Sequence, residues 1–445
     1  YLRFWLSICR TSLAVSALRI MRYCLNSHSK TRPALNIWSD RAFFDRPEKG
    51  GVPMRHIMLL SAGLLALGLT ACGAAGAVVP AASPAAPAPT ALPDENAPEI
   101  SEPVVSVEPY SDLRYLPWLD DYAKQTYLPD EYNASDLYTY TYNTGTAFAG
   151  AEDEAAALLE ECKDPGLGVR SLQARGITGR GVNVAILDQP LLTDHPEFAD
   201  RIAAYYDTGC EGETGSMHGP AVASLLAGKT IGVAPDANIY YAAWPSWLQD
   251  SRYAADALDW VLEQNEALPE GEKIRVVSVS AAPGSADMFR NTDLWNAAAA
   301  RAEEAGVLVL TVEGAGAKPD RLMPYPAVLD PNDRDAPAAC RVGFPDEDGS
   351  SVFAKNALAL PCSYRTTAEE YTAGQFGYTH YGQGGMSWGI PYCAGVMALG
   401  WQVAPTLTGD EIMRYLLSTA ATGTDGNSII DPVHFVETLE TNRST

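Results

Sequence analysis

From about residue 180 onward the chain alternates between short apolar runs and longer stretches with helical patterning, and no other feature restricts its fold as much. Residues 182–187, 238–243, 274–279 and 307–311 are rich in Val, Ile, Leu, Tyr and Ala, as strands buried on both faces require. Between them, residues 219–228, about 252–267 and about 292–305 carry helical patterns. Strands separated by helices of that length need crossover connections. The expectation is therefore an α/β, three-layer fold with a mostly parallel central sheet flanked by helices. In such sheets ligands gather at the carboxyl ends of the strands. No internal repeat at solenoid periods competes with this reading.

Three segments carry chemistry. Asp188 follows directly on the first apolar run, at the strand end where the backbone opens toward a sheet-edge crevice. Alone it reads as a loop or helix cap. His218 stands at the mouth of a helix of small residues, Gly219, Ala221, Ala223 and Ala227, which Gly228 can close as a C-terminal cap. A lone His in such a place is ordinarily structural. Ser387 lies among Gly384, Gly385 and Gly389 at the start of an apolar helix reaching about Val403. Pro391, four residues on, has no N–H to give the Ser387 carbonyl, so the first turn breaks a helix rule at the position that also presents a hydroxyl to the positive end of the dipole.

Together the three segments resemble the subtilase family of serine peptidases. The family's D-x-G strand end, H-G-T-x-V-A helix with a following G-V-A-P, and G-T-S-M-A-x-P nucleophile segment read here as Asp188-Gln189-Pro190, His218-Gly219-Pro220-Ala221-Val222-Ala223 with Gly232-Val233-Ala234-Pro235, and Gly385-Met386-Ser387-Trp388-Gly389-Ile390-Pro391. The order Asp, His, Ser also distinguishes this class from other triad enzymes. The resemblance covers residues 166–440 and includes a tail at 407–412 like the family's closing helix. It implies a subtilisin-like fold in which His218 takes the Ser387 proton and Asp188 orients the imidazole. It further implies that the substrate is a peptide or protein. Ser280 and Ala281 would line it after the third strand, and Gly314 and Ala315 would stand at the oxyanion position.

The chain departs from the pattern at Ala315, where the family has an Asn whose side chain donates to the oxyanion; losing such a donor costs about 10²–10³ in kcat. Gln189, Pro190 and Pro220 also differ, but remove no triad atom. Two other readings follow. A catalytically weak or inactive subtilase-like lipoprotein could serve for binding or sensing. Alternatively, Gly385-x-Ser387-x-Gly389 matches the elbow of an α/β-hydrolase esterase, with His434 downstream, although residues 378–383 do not form the apolar strand an elbow needs.

The segment before the domain reads as an address. Met54, Arg55 and His56 precede an apolar stretch over 57–69, too short to span a bilayer, which needs about 20 apolar residues. Leu69-Thr70-Ala71-Cys72 then resembles the bacterial lipobox, making Cys72 the expected lipidation site and placing the protein at the membrane, outside the cytoplasm. Residues 1–53 are a doubtful upstream extension, 54–72 the lipoprotein signal, 73–108 an Ala/Pro-rich tether, and 109–165 an N-terminal extension or shortened prosegment before the peptidase domain at 166–440.

The net charge is −24, and because the first 71 residues are basic the remainder is more acidic still. Such a surface repels phosphate backbones, so nucleic acid is not an expected partner. Calcium is the one cofactor the resemblance brings, by family habit, without assigned ligands. A monomer is expected. No His or Cys spacing fits a zinc site. Outside the cytoplasm a Cys340–Cys362 disulfide is the first expectation, and Cys393 within the nucleophile helix reads as a buried thiol.

Overall fold

The structure, a computed structural model, describes residues 107–116, 125–210, 215–315, 321–346 and 356–443. The signal, the tether and Cys72 lie outside the described residues. The first part carries β1 (Thr126–Tyr127), β2 (Thr141–Asn143), β3 (Ala147–Phe148) and α1 (Glu152–Glu161), gathered round a small core of Leu113, Leu137, Tyr140, Tyr142 and Phe148. A short α2 (Val169–Ala174) leads into the central sheet.

That sheet contains β4 (Asn183–Asp188), β5 (Ile202–Asp207), β6 (Asn238–Ala243), β7 (Val276–Val279), β8 (Leu308–Thr311) and β9 (Gly314–Ala315). Its spatial order is β5-β6-β4-β7-β8-β9, parallel except for the final antiparallel pair. Both faces are covered, as the uninterrupted apolar runs require. Val184 and Ile186 of β4 face one core with α3 (His218–Ala227); Ala185 and Leu187 face the other with α4 (Ser251–Ala267) and α5 (Thr292–Glu304). Successive side chains of a strand point to opposite faces, so one six-residue strand serves both cores.

Beyond the sheet, β10 (Met323–Val328), β11 (Arg341–Val342) and β12 (Ala357–Pro361) join β15 (Ala421–Thr422) and β16 (Ser428–Ile429) in a second sheet ordered β11-β10-β12-β16-β15. A hairpin of β13 (Arg365–Glu369) and β14 (Gly377–Tyr381) precedes the long α6 (Met386–Val403), and α7 (Gly409–Ser418) and α8 (Pro432–Arg443) close the chain. Nearly every residue of α6 from Trp388 on is buried, as suits a helix apolar on all sides. Among the described residues no helix is long and apolar enough to cross a membrane.

Three expectations change. Residues 377–381 do form a strand, but β14 pairs antiparallel with β13 and with β2 in a separate three-stranded sheet, so it is not the central parallel strand of a hydrolase elbow. Cys340 and Cys362 are separate buried thiols. Ala327 of β10 stands opposite both Val342 and Pro361, which puts the two cysteines on either side of β10. Two strand spacings, roughly 10 Å, exceed the reach of a disulfide. Burial pushes the Cys362 thiol up to about 12. Cys393 is a buried thiol too, as its place in α6 suggested. Lastly, residues 109–165 are packed onto the domain rather than lying apart: β2 extends the β13–β14 hairpin, and the Asn143 amide donates to the buried Glu369 carboxylate at 3.0 Å.

Candidate active site

The parallel register sets the site. Leu187 of β4 stands beside Val279 of β7, so the chain leaves the two strands at neighbouring points, at Asp188 and Ser280. Asp188, the last residue of β4, is 4% exposed. Its Oδ1 accepts the Gln189 N–H at 2.8 Å and faces His218 Nδ1 at 2.6 Å. An Nδ1–H donated to the carboxylate leaves Nε2 with its lone pair, the tautomer a general base needs.

His218 reaches this place because α3 lies flat against the sheet at its first turn. A Cβ at Gly219 would stand 2.5 Å from the Gln189 carbonyl and 2.7 Å from the Tyr241 hydroxyl, so only glycine permits the approach. The Ser216 hydroxyl accepts the Gly219 N–H at 3.0 Å and caps the turn.

Ser387 occupies the first turn of α6. The Pro391 break has a specific remedy: the Ser280 hydroxyl donates to the Ser387 carbonyl at 2.8 Å, supplying the bond that Pro391 cannot. In return the Ser387 hydroxyl donates to the Ser280 carbonyl at 3.3 Å. A turn about one side-chain torsion would free that hydroxyl. Its neighbour Trp388 lies against the imidazole, ring centroids 5.3 Å apart. Ser280→Ala is expected to lower stability by about 1–3 kcal/mol, because the Ser387 carbonyl loses its partner. The denaturation midpoint should fall with the slope unchanged.

Of the residues expected along the substrate, Ser280 thus supports the nucleophile's turn. Ala281 turns its methyl into the core, and its carbonyl accepts the Val312 N–H at 3.2 Å. Gly314, at φ +143°, and Ala315 are buried in β9, and the Ala315 N–H is given to the Leu322 carbonyl. Ala315 therefore stands in the core and not merely short of an amide. The exposed member of that turn is Glu313, whose carboxyl is raised by partial burial. The backbone N–H of Ser387, in the first helical turn where donors lack intrahelical partners, remains an available oxyanion donor. His434 lies elsewhere, its ring nitrogen on the Thr419 carbonyl. Among the described residues no group of His, Cys, Asp or Glu is arranged to hold a metal ion, so no calcium ligands can be named.

Sequence reasoning missed Trp388, Tyr381 and Met217 as neighbours of the imidazole. The one available signal was the bulky Trp388 where the resembling motif carries Met.

An imidazole gripped by a carboxylate at the rim of a parallel sheet, beside a helix that begins with serine, defines a serine-hydrolase type of site. Residues 179–359 match the model of the Subtilase family, and the chain carries a peptidase domain of that family. It is 26% identical over 297 residues to the serine protease AprX of Bacillus subtilis (strain 168), covering 58% of this chain and 64% of that protein. It is 27% identical over 286 residues to the subtilisin-like protease PopC of Myxococcus xanthus (strain DK1622), covering 57% and 58%. The chain thus spans less than two thirds of either relative's length. Among solved structures, a chain of the subtilase cytotoxin SubAB assembly overlays 62% of this chain and 96% of its own, at 16% identity and a TM-score of 0.48.

Proposed function

We propose that this protein is a serine endopeptidase in which Ser387 attacks the scissile carbonyl, His218 carries the proton to the leaving amine and Asp188 holds the imidazole. The observation that carries the reading is the 2.6 Å contact between Asp188 and His218 at the strand ends, with Ser387 heading the adjacent helix. Peptide or protein would be the substrate, as the names of AprX and PopC imply for those relatives. With Ala315 in the core, the oxyanion would rely on backbone donors, and turnover would be about 10²–10³ slower than with a side-chain amide in place.

A fluorophosphonate probe should label the full chain at Ser387, and a mixed peptide library should be cleaved internally. Absence of labelling together with absence of cleavage would sink the proposal. Labelling without cleavage would favour the binding or sensing reading.

A lipid anchor at Cys72 would hold this activity at the outer face of the membrane. On fractionation of a bacterial host the protein should sediment with membranes, and Cys72→Ser should release it. Equal distribution of the two would refute the anchor.

A further inference from the structure

We infer that Arg114, which lies outside the matched family domain, is a positioning residue for His218, acting through Tyr381 and Trp388. The inference rests on the peptidase reading above and gives residues 107–148 a part in the working site.

The placement follows from strand register. Leu113 donates its N–H to the Thr141 carbonyl at 2.7 Å, and Thr141 returns its own to Ser111 at 2.9 Å. Thr141 in turn stands opposite Tyr381 in the β2–β14 pair. The extension is thereby tied, rung by rung, to the strand that runs up to the nucleophile turn.

Arg114 is 4% exposed. Asp112 grips its guanidinium on two edges, Nε to Oδ1 at 2.9 Å and Nη2 to Oδ2 at 2.6 Å, which fixes the plane of the group. The remaining edge points at Tyr381: Nη1 donates to the phenol oxygen at 3.3 Å, and the guanidinium carbon lies 5.5 Å from the ring centroid. The phenol then donates to Met217 Sδ at 3.1 Å, one residue before His218.

The Tyr381 ring meets Trp388 edge to face at 5.0 Å, and Trp388 lies against His218. Two contact paths therefore lead from Arg114 to the imidazole, one through the residue preceding it and one onto its face. A buried ion pair is weak as a source of stability, because desolvating both charges offsets their attraction. A rigid fork that orients a ring beside a general base has a clearer use: catalytic groups must be held to within about 0.5 Å and 10–20°.

The test compares Arg114→Met, Arg114→Lys and Tyr381→Phe in the full chain, with Arg301→Met, an exposed partner of Asp259, as a charge control. The readouts are kcat and KM separately, the rate of fluorophosphonate labelling, and thermal midpoints. Arg114→Met is expected to lower kcat and the labelling rate together by about 10- to 100-fold, as displacement of catalytic groups does, with KM within about twofold. Tyr381→Phe should act in the same direction, Arg114→Lys should recover part of the loss, and Arg301→Met should change nothing.

Should Arg114→Met fail to fold, Tyr381→Phe decides, since it removes a single hydroxyl. Folded Arg114→Met or Tyr381→Phe protein with wild-type kcat and labelling rate overturns the inference while leaving the peptidase reading intact. Wild-type protein that neither labels nor cleaves overturns both.

Discussion

Ser387→Ala is expected to reduce kcat by about 10⁶ and to abolish phosphonate labelling, while the protein unfolds at nearly the same denaturant concentration as the wild type. Stability should hold because the hydroxyl contributes one hydrogen bond, of 3.3 Å, to the Ser280 carbonyl. His218→Ala should cost a similar factor. Asp188→Asn should cost about 10⁴ by favouring the wrong tautomer. Groups that act as a unit are not additive, so the Ser387→Ala/His218→Ala double variant should be no slower than the worse single variant. If the losses instead multiply, the two side chains do not work together. His434→Ala separates this from an esterase mechanism: it should leave turnover untouched, since that ring sits on the Thr419 carbonyl.

The second large effect is on stability, at acid pH. His380 of β14 is fully buried, its Nε2 donates to the Tyr138 carbonyl at 3.0 Å, and its Nδ1 has no partner. Burial, with a smaller contribution from the Arg334 charge, lowers its pKa to about 4. In the unfolded chain the same group titrates near 6.5. Between these values the unfolded state binds the proton and the folded state does not, so stability rises with pH across that window. The contribution is fully present above about pH 6.5 and is lost as pH falls toward 4. The loss is on the order of 3 kcal/mol. His195, also buried, is shifted in the same direction by the same cause and should add to the slope. His380→Gln keeps an N–H for the Tyr138 carbonyl but cannot titrate, so its denaturation midpoint should fall less between pH 7 and pH 4 than that of the wild type. Parallel pH profiles for the two proteins would contradict the assignment.

Which parts of the fold were readable from residues depended on how each element is buried. β4, β6, β7 and β8 are apolar on both faces, so they stand out in any register. β5 is an edge strand, partly exposed along its length, and its Ala and Tyr residues gave no such run. The β13–β14 hairpin was hidden for the opposite reason. Arg365, Thr366, Thr367, Thr379 and His380 are polar yet buried, and composition alone puts such residues at the surface. The mistaken Cys340–Cys362 pairing came from their closeness in sequence, whereas strand order set β10 between them.

By itself the sequence determined the layered α/β architecture and nominated a carboxylate, an imidazole and a hydroxyl, because strand runs, helix starts and a misplaced proline are local signals carried by adjacent residues. Only the tertiary structure decided that Ser280 would complete the hydrogen bond Pro391 withholds, that Ala315 would turn inward, and that Arg114 would reach Tyr381 across 267 positions of chain. Those pairings depend on which strand ends become neighbours, and register between distant segments is set by packing the whole core, not by any stretch of it.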